Sequence, residues 1–271
     1  MDLGLEGKRA IVTGGSLGIG KAIARELARE GADVAIVART KETLEAAARE
    51  LAAETRRRVI PLVADVTSRA QVDAMVAQAA TQLGGLHILV NSGSPPGGSA
   101  TATGPIETIV DEDLLQDFNV KYVGALRCAR AAIPYLKEQG WGRINISGTN
   151  ARNAGNLSGG ARNTSLVHFT KTLAVQLGRF GITVNCIHPG ITRTERTARL
   201  LAARGKELGI DAAAVEKADF AHDSPRGNAI GRMVDAVEIA YVTAFLASDK
   251  AWAISGELIV ATGGAGRSVY Y

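Results

Sequence analysis

The sequence predicts an α/β fold: a doubly wound parallel sheet of about seven strands, with helices on both faces, in a single domain spanning 1–271. Three observations carry this. Short apolar runs rich in β-branched residues alternate with longer segments whose apolar residues recur at helical spacing. The runs are nearly continuous in apolar character, as in a sheet covered on both sides. A helix-like segment separates most neighbouring runs, as a right-handed parallel crossover requires.

The elements follow in order. Arg9–Thr13 is a strand, and Ile19, Ile23 and Leu27 then mark a helix stripe. A strand at Asp33–Ala38 precedes an Ala/Glu/Leu helix at 41–53. Residues 58–64 form a third strand, and Val72, Val76, Ala79 and Leu83 mark a third helix. A fourth strand at 86–91 opens into a Gly/Pro/Ser/Thr-rich loop at 92–105. One long helix is expected at 111–137, then a strand at 143–147, a helix ending near Gly178 and a strand at 182–187. Residues 193–232 break the alternation. They read as a helical insertion, a substrate lid over the carboxyl edge of the sheet, where open α/β folds bind ligands. A helix at 235–247 and a strand at 257–261 complete the pattern.

Composition narrows the function. Of 271 residues, 46% are apolar and only 4% aromatic, so Ala, Val, Ile, Leu and Gly must fill the core. The net charge of +4 is scattered, and the one basic run, Arg56-Arg57-Arg58, reads as a solvated turn; no nucleic-acid partner is expected. Cys128 and Cys186 lie in apolar segments and read as buried thiols. No apolar run approaches the roughly 20 residues of a membrane span, and no signal peptide is evident, so a cytoplasmic protein with no membrane association is expected. His87, His168, His188 and His222 lack close ligand spacing, so no metal is expected.

Thr13-Gly14-Gly15-Ser16-Leu17-Gly18-Ile19-Gly20 lies between the first strand and the first helix. Gly14 and Gly18 allow a tight turn, Gly20 allows close helix–strand packing, and the helix-start amides face a pyrophosphate. In this βαβ context the loop defines a Rossmann-type dinucleotide site.

Here the chain resembles the short-chain dehydrogenase/reductase family along nearly its whole length. The loop is similar to the family's TGxxxGIG. Asp65-Val66 matches the pair placed near the adenine. Asn91-Ser92-Gly93 stands where the family has NNAG, with Ser in place of the second Asn. Asn119 matches the family's helix asparagine, Pro189-Gly190 and Thr194 the segment that touches the nicotinamide, and Gly263-Gly264 the C-terminal glycines. The resemblance implies hydride transfer between a pyridine dinucleotide and a small carbonyl or alcohol substrate. It also implies a homotetramer or homodimer paired through the helices at 111–137 and 156–178. At the end of the second strand an acid would favour NAD(H), but this chain has Ala38 followed by Arg39. Arg39 can pair with a 2′-phosphate, so NADP(H) is favoured. Arg39 also fits a solvated loop residue, or one that stacks on adenine with either cofactor.

The family's acid–base group is a Tyr-xxx-Lys pair with a preceding Ser. Counting back without a gap from His168–Ala174, which matches the family's GFTKSLA, puts Gly159 at the Tyr position and Asn163 at the Lys position. No tyrosine in the chain is followed by lysine four residues later. Ser147 is the best candidate for the Ser, with Gly148 or Thr149 as alternatives. Asn119, Ser147 and Arg162 are therefore the candidate catalytic residues. Arg162 sits one position off the Lys slot, about 100° around the helix. Ser158 and His168 are weaker candidates, and His188 fits a structural place at a strand end. Two readings stay open: an oxidoreductase with an atypical active site, or a non-catalytic dinucleotide-binding protein acting as a sensor or assembly partner.

Overall fold

The structure is a computed structural model that describes residues 1–94, 97–149, 151 and 156–266. Its strands are β1 (Arg9–Thr13), β2 (Asp33–Ala38), β3 (Val59–Val63), β4 (Ile88–Asn91), β5 (Gly142–Ser147), β6 (Ile182–Pro189), β7 (Thr192–Arg193), β8 (Val234–Asp235) and β9 (Leu258–Ala261). Seven of them form one parallel sheet in the order β3-β2-β1-β4-β5-β6-β9, while β7 and β8 pair separately. The chain runs outward from β1 to β3, then returns to lay β4 on the other side of β1. That reversal opens a crevice at the carboxyl ends of β1 and β4. In register across the sheet, Thr13 stands beside Asn91, Asn91 beside Ile146, and Ser147 beside Ile187.

The helices are α1 (Gly18–Arg29), α2 (Lys41–Thr55), α3 (Arg69–Leu83), α4 (Asp111–Phe118), α5 (Gly124–Gln139), α6 (Leu157–Leu177), α7 (Thr197–Leu208), α8 (Ala212–Asp219) and α9 (Ala236–Leu246). Strand residues alternate between the two faces. Ala10, Val12, Val34, Ile36, Ile88 and Val90 pack on the side of α1, α2 and α9. Ile11, Ala35, Val37, Leu89, Ile144, Ile146, Val184 and Cys186 pack on the side of α3, α5 and α6. Both cores are mainly aliphatic, as the low aromatic content demands, with Phe169 buried in the second. Cys128 and Cys186 are buried free thiols, and burial pushes them up to about 12 and about 11.

Observed ends depart from the expected ones by one or two residues, but one expectation needs a larger correction. The segment 111–137 is not one regular α-helix. A π-helical turn, Asn119–Val123, separates α4 from α5. The Gly124 amide donates to the Asn119 carbonyl, five residues back. One extra residue thus enters the turn, which the spacing of apolar residues does not register. Such turns often lie at functional sites.

The region 193–232 contains α7 and α8, which pack Leu201, Val215, Phe220 and Met233 into a small apolar cluster. The basic run caps α2: Arg56 takes a left-handed conformation there, and Arg57 pairs with Glu6 and Asp33. No helix among the described residues is long and apolar enough to cross a membrane.

Candidate active site

The phosphate loop leaves β1 and enters α1 with Gly14 and Gly18 at positive φ, +69° and +59°. A Cβ on Gly14 would lie 2.7 Å from the Ser92 carbonyl oxygen, and one on Gly20 would lie 2.2 Å from the Gly14 carbonyl oxygen. These two glycines let the loop close over the ends of β1 and β4. Thr13 Oγ1 ties the two strand ends together by accepting from the Ser92 and Gly93 amides at 3.1 and 3.2 Å. At the start of α1 the Gly18 amide donates to the Glu195 carboxylate at 2.9 Å. An anion therefore already occupies the N-terminus of α1, in the manner expected of a pyrophosphate.

A cleft of ≈ 590 Å³ runs from this loop along the carboxyl edge of the sheet. One end is lined by Gly14, Ser16, Leu17, Gly18, Ile19 and Gly20, the other by Ser147, Gly148, Gly159, Arg162 and Asn163. Pro189, Gly190, Thr194, Glu195, Arg196 and Leu200 line the wall formed by β6 and the start of the 193–232 segment. A smaller recess beside it is lined by Val66, Asn91, Gly93 and Ser147. Asn91 Nδ2 and Ser147 Oγ are buried without a hydrogen-bond partner among the described residues. Buried polar groups of this kind ordinarily have a hydrogen-bond partner.

Arg39 and Asp65 lie outside these cavities, at the ends of β2 and just beyond β3. Arg39 is exposed. Burial acts to raise the Asp65 carboxyl. The Thr67 hydrogen bonds and the Arg39 and Arg127 charges outweigh it and hold the group below the usual carboxylate range. Arg127 Nη1 also donates to the Val66 carbonyl at 3.1 Å and to Asn119 Oδ1 at 2.9 Å. Asn119 is thus held by Arg127 and by Gln116, and it is not among the residues lining the cleft.

Gly159 and Asn163, one turn apart on α6, both face the cleft. Asn156 caps this helix, its side chain accepting from the Gly159 amide. No tyrosine is among the described residues that line the cleft. Arg162 reaches the cleft wall but is only 3% exposed, and its guanidinium lies 3.5 Å from Asp117. Asp117 also accepts from Ser158 Oγ at 2.6 Å and from the Ser99 amide and hydroxyl. Burial acts to raise the Asp117 carboxyl, but these donors hold it below its ordinary value. The Arg162 charge is therefore compensated by a buried carboxylate, and an arginine gives up no proton in proteins.

The sequence reading missed Lys121 and Glu195. Lys121 extends from the π turn into the cleft, where its Nζ donates to the Gly148 carbonyl at 2.5 Å. Burial, and then the Arg162 charge, push its ammonium down to about 7. The only sequence signal for it was its place two residues beyond Asn119.

The phosphate loop, strand order and cleft are those of a dinucleotide-binding α/β fold. A family model described as short chain dehydrogenase matches residues 8–205. Cyclohexanol dehydrogenase of Rhodococcus sp. strain TK6 is 32% identical over 97% of each chain. NADPH-dependent reductase BacG of Bacillus subtilis strain 168 is 30% identical over 97% of this chain and 99% of that one. L-Sorbose reductase from Gluconobacter frateurii, solved with NADPH and L-sorbose, superposes with a TM-score of 0.91 at 30% identity, covering 99% of this chain and all of that one. The chain belongs to the short-chain dehydrogenase family, whose members carry out hydride transfer with a pyridine dinucleotide.

Proposed function

We propose that the protein is an NADPH-dependent reductase of a small carbonyl compound, or a dehydrogenase of the matching alcohol, which works without the Tyr-xxx-Lys pair. One observation carries this reading. A single cleft joins the phosphate loop to the end of β5, so one ligand at the loop reaches the buried Ser147 hydroxyl. L-Sorbose reductase, solved with NADPH, and the NADPH-dependent curated relative support the choice of cofactor.

The dinucleotide fits the residues present. The glycines that leave room for a backbone approach, the carboxylate on the Gly18 amide and the orphaned Asn91 amide all suit it. Gly14 to Gly20 would hold the pyrophosphate, Asp65 and Val66 the adenosine, and Arg39 the 2′-phosphate. Asn91, Gly93, Pro189, Gly190 and Thr194 would frame the nicotinamide end. When bound, the cofactor supplies the hydride. This chain's part is to orient the carbonyl, exclude water beneath the 193–232 lid, and furnish a proton. We place the protein in the cytoplasm as a homotetramer or homodimer paired through α4, α5 and α6; a monomer in light scattering would contradict that pairing.

The test is a fluorescence titration with NADPH and NADH, followed by a panel of ketones and aldehydes. NADPH should bind more tightly, and Arg39→Ala should weaken NADPH about 10-fold or more while leaving NADH unchanged. Equal affinities in the wild type would remove the cofactor assignment. Gly159 and Asn163 on the cleft wall favour the second reading, a non-catalytic dinucleotide sensor. Tight NADPH binding with no turnover of any carbonyl would establish that reading instead.

A further inference from the structure

We propose that Lys121 is the proton donor of this active site, its ammonium protonating the carbonyl oxygen of the substrate at the end of β5. This rests on the reductase reading above.

Three observations place it there. Lys121 Nζ is held 2.5 Å from the Gly148 carbonyl oxygen, immediately after Ser147, so the cation stands at the strand end that the family resemblance assigns to a hydroxyl. Gly148 takes a positive φ of +79°, and a Cβ there would lie 3.9 Å from Nζ, so the absence of a side chain leaves the ammonium uncovered on that side. Lys121 lies within the π turn Asn119–Val123 and lines the cleft, whereas Asn119 does not. No described tyrosine lines that cleft, and Arg162, which lies 3.5 Å from Asp117, has no proton to give.

The chemistry balances. As hydride reaches the carbonyl carbon, the C=O π pair moves to oxygen and takes a proton from Nζ. That leaves a neutral amine, which solvent reprotonates, and an alcohol. A lysine serves this only if its proton is exchangeable near neutral pH. The Lys121 environment meets that condition, since burial and the Arg162 charge bring it to about 7. The other charged groups facing it do not reverse this. Asp117 is taken up by Arg162, Ser158 and Ser99, and Glu195 and Arg196 of opposite sign share the far wall.

The test compares wild type, Lys121→Arg and Lys121→Met in three measurements. In the first, site-resolved amine labelling is followed by mass spectrometry across pH, without substrate. Lys121 should titrate near 7; a midpoint for Lys121 at the ordinary lysine value of about 10.4 overturns the proposal. In the second, NADPH titration should change no more than a few-fold in either variant. In the third, kcat/KM should fall about 10²–10⁴-fold in both, and the Arg variant should lose the pH break near 7 although it keeps the charge. A Lys121→Arg protein that binds NADPH and reduces ketones at the wild-type rate overturns the proposal while the reductase reading stands. A wild type that reduces no carbonyl removes both, and the NADPH titration then shows whether the cofactor site survives.

Discussion

The Gly18 amide donates to the Glu195 carboxylate at 2.9 Å, across 177 positions of sequence. Glu195 thereby places negative charge on the helix terminus that a pyrophosphate needs. A dinucleotide must displace that carboxylate, and its loss should help binding. Glu195→Ala is expected to tighten NADPH about 3–10-fold, or roughly 0.7–1.4 kcal/mol, in a fluorescence titration. Weaker binding in the variant would mean that Glu195 supports the cofactor rather than competing with it.

Gly159→Tyr combined with Asn163→Lys should raise the rate on activated ketones by at least about 10-fold over wild type. A phenol and an ammonium one turn apart would act as a pair, the Lys lowering the Tyr pKa. A Cβ on Gly159 meets Asn156 Oδ1 at 2.8 Å, so the capping side chain must swing away, costing about 1 kcal/mol of stability. Initial rates and a melting curve on the same preparation separate the two effects. A wild type that already reduces generic ketones at ordinary rates, with no gain in the double variant, would overturn this prediction and show that the site has its own acid, as proposed for Lys121.

Arg143 is fully buried in β5, with its guanidinium 4.0 Å from the Trp141 ring centre and 5.0 Å from that of Trp252. It also donates to the Gly142 and Ser248 carbonyls and to Asp249. Arg143→Ala removes this stack and leaves two buried carbonyls short of a donor. It should cost roughly 2–4 kcal/mol in denaturant unfolding. Asp249 is 66% exposed, so Asp249→Ala should cost less than about 1 kcal/mol. Equal costs would show that the ion pair, rather than the stacking, holds Arg143 in place.

His87 supplies a pH test of the fold. Burial first, then the Lys8 and Arg9 charges, push its imidazole down to about 4, and Nδ1 accepts from the Arg9 amide at 3.2 Å. The unfolded chain takes up the proton near 6.5, so it binds more protons than the native state between about 4 and 6.5. Stability is full above that window and falls as pH drops through it. His87→Asn keeps an acceptor but no titrating ring. It should remove about 1–3 kcal/mol of the loss measured by unfolding between pH 6.5 and 4. An unchanged slope would assign the loss to other groups.

Legibility followed the range of the interactions. The strands beside the phosphate loop were readable because β1 and β2 are apolar on both faces, and the cradle because Gly14, Gly18 and Gly20 are spaced for one local turn. Gly159 and Asn163 were picked out through the family resemblance, by counting back from His168–Ala174, and four-residue helical spacing puts both on one cleft wall. Lys121 was hidden because its hydrogen-bond acceptor, the Gly148 carbonyl, lies 27 positions away in sequence, where no local pattern marks it. Asn119, chosen from its motif, turned out to be held by Arg127, a partner that spacing does not reveal.

The sequence by itself determined the parallel α/β order, the aliphatic core and the dinucleotide loop, because each arises from contacts within a turn or from the two- and four-residue periods of strands and helices. Only the tertiary structure decided which charges meet. Arg162 neutralised by Asp117, Glu195 on the Gly18 amide, Arg143 between two indoles and Lys121 on the Gly148 carbonyl all join distant elements. The physical reason is that burial and charge compensation depend on how whole helices and loops pack at the sheet edge, and no local pattern of residue types encodes that packing.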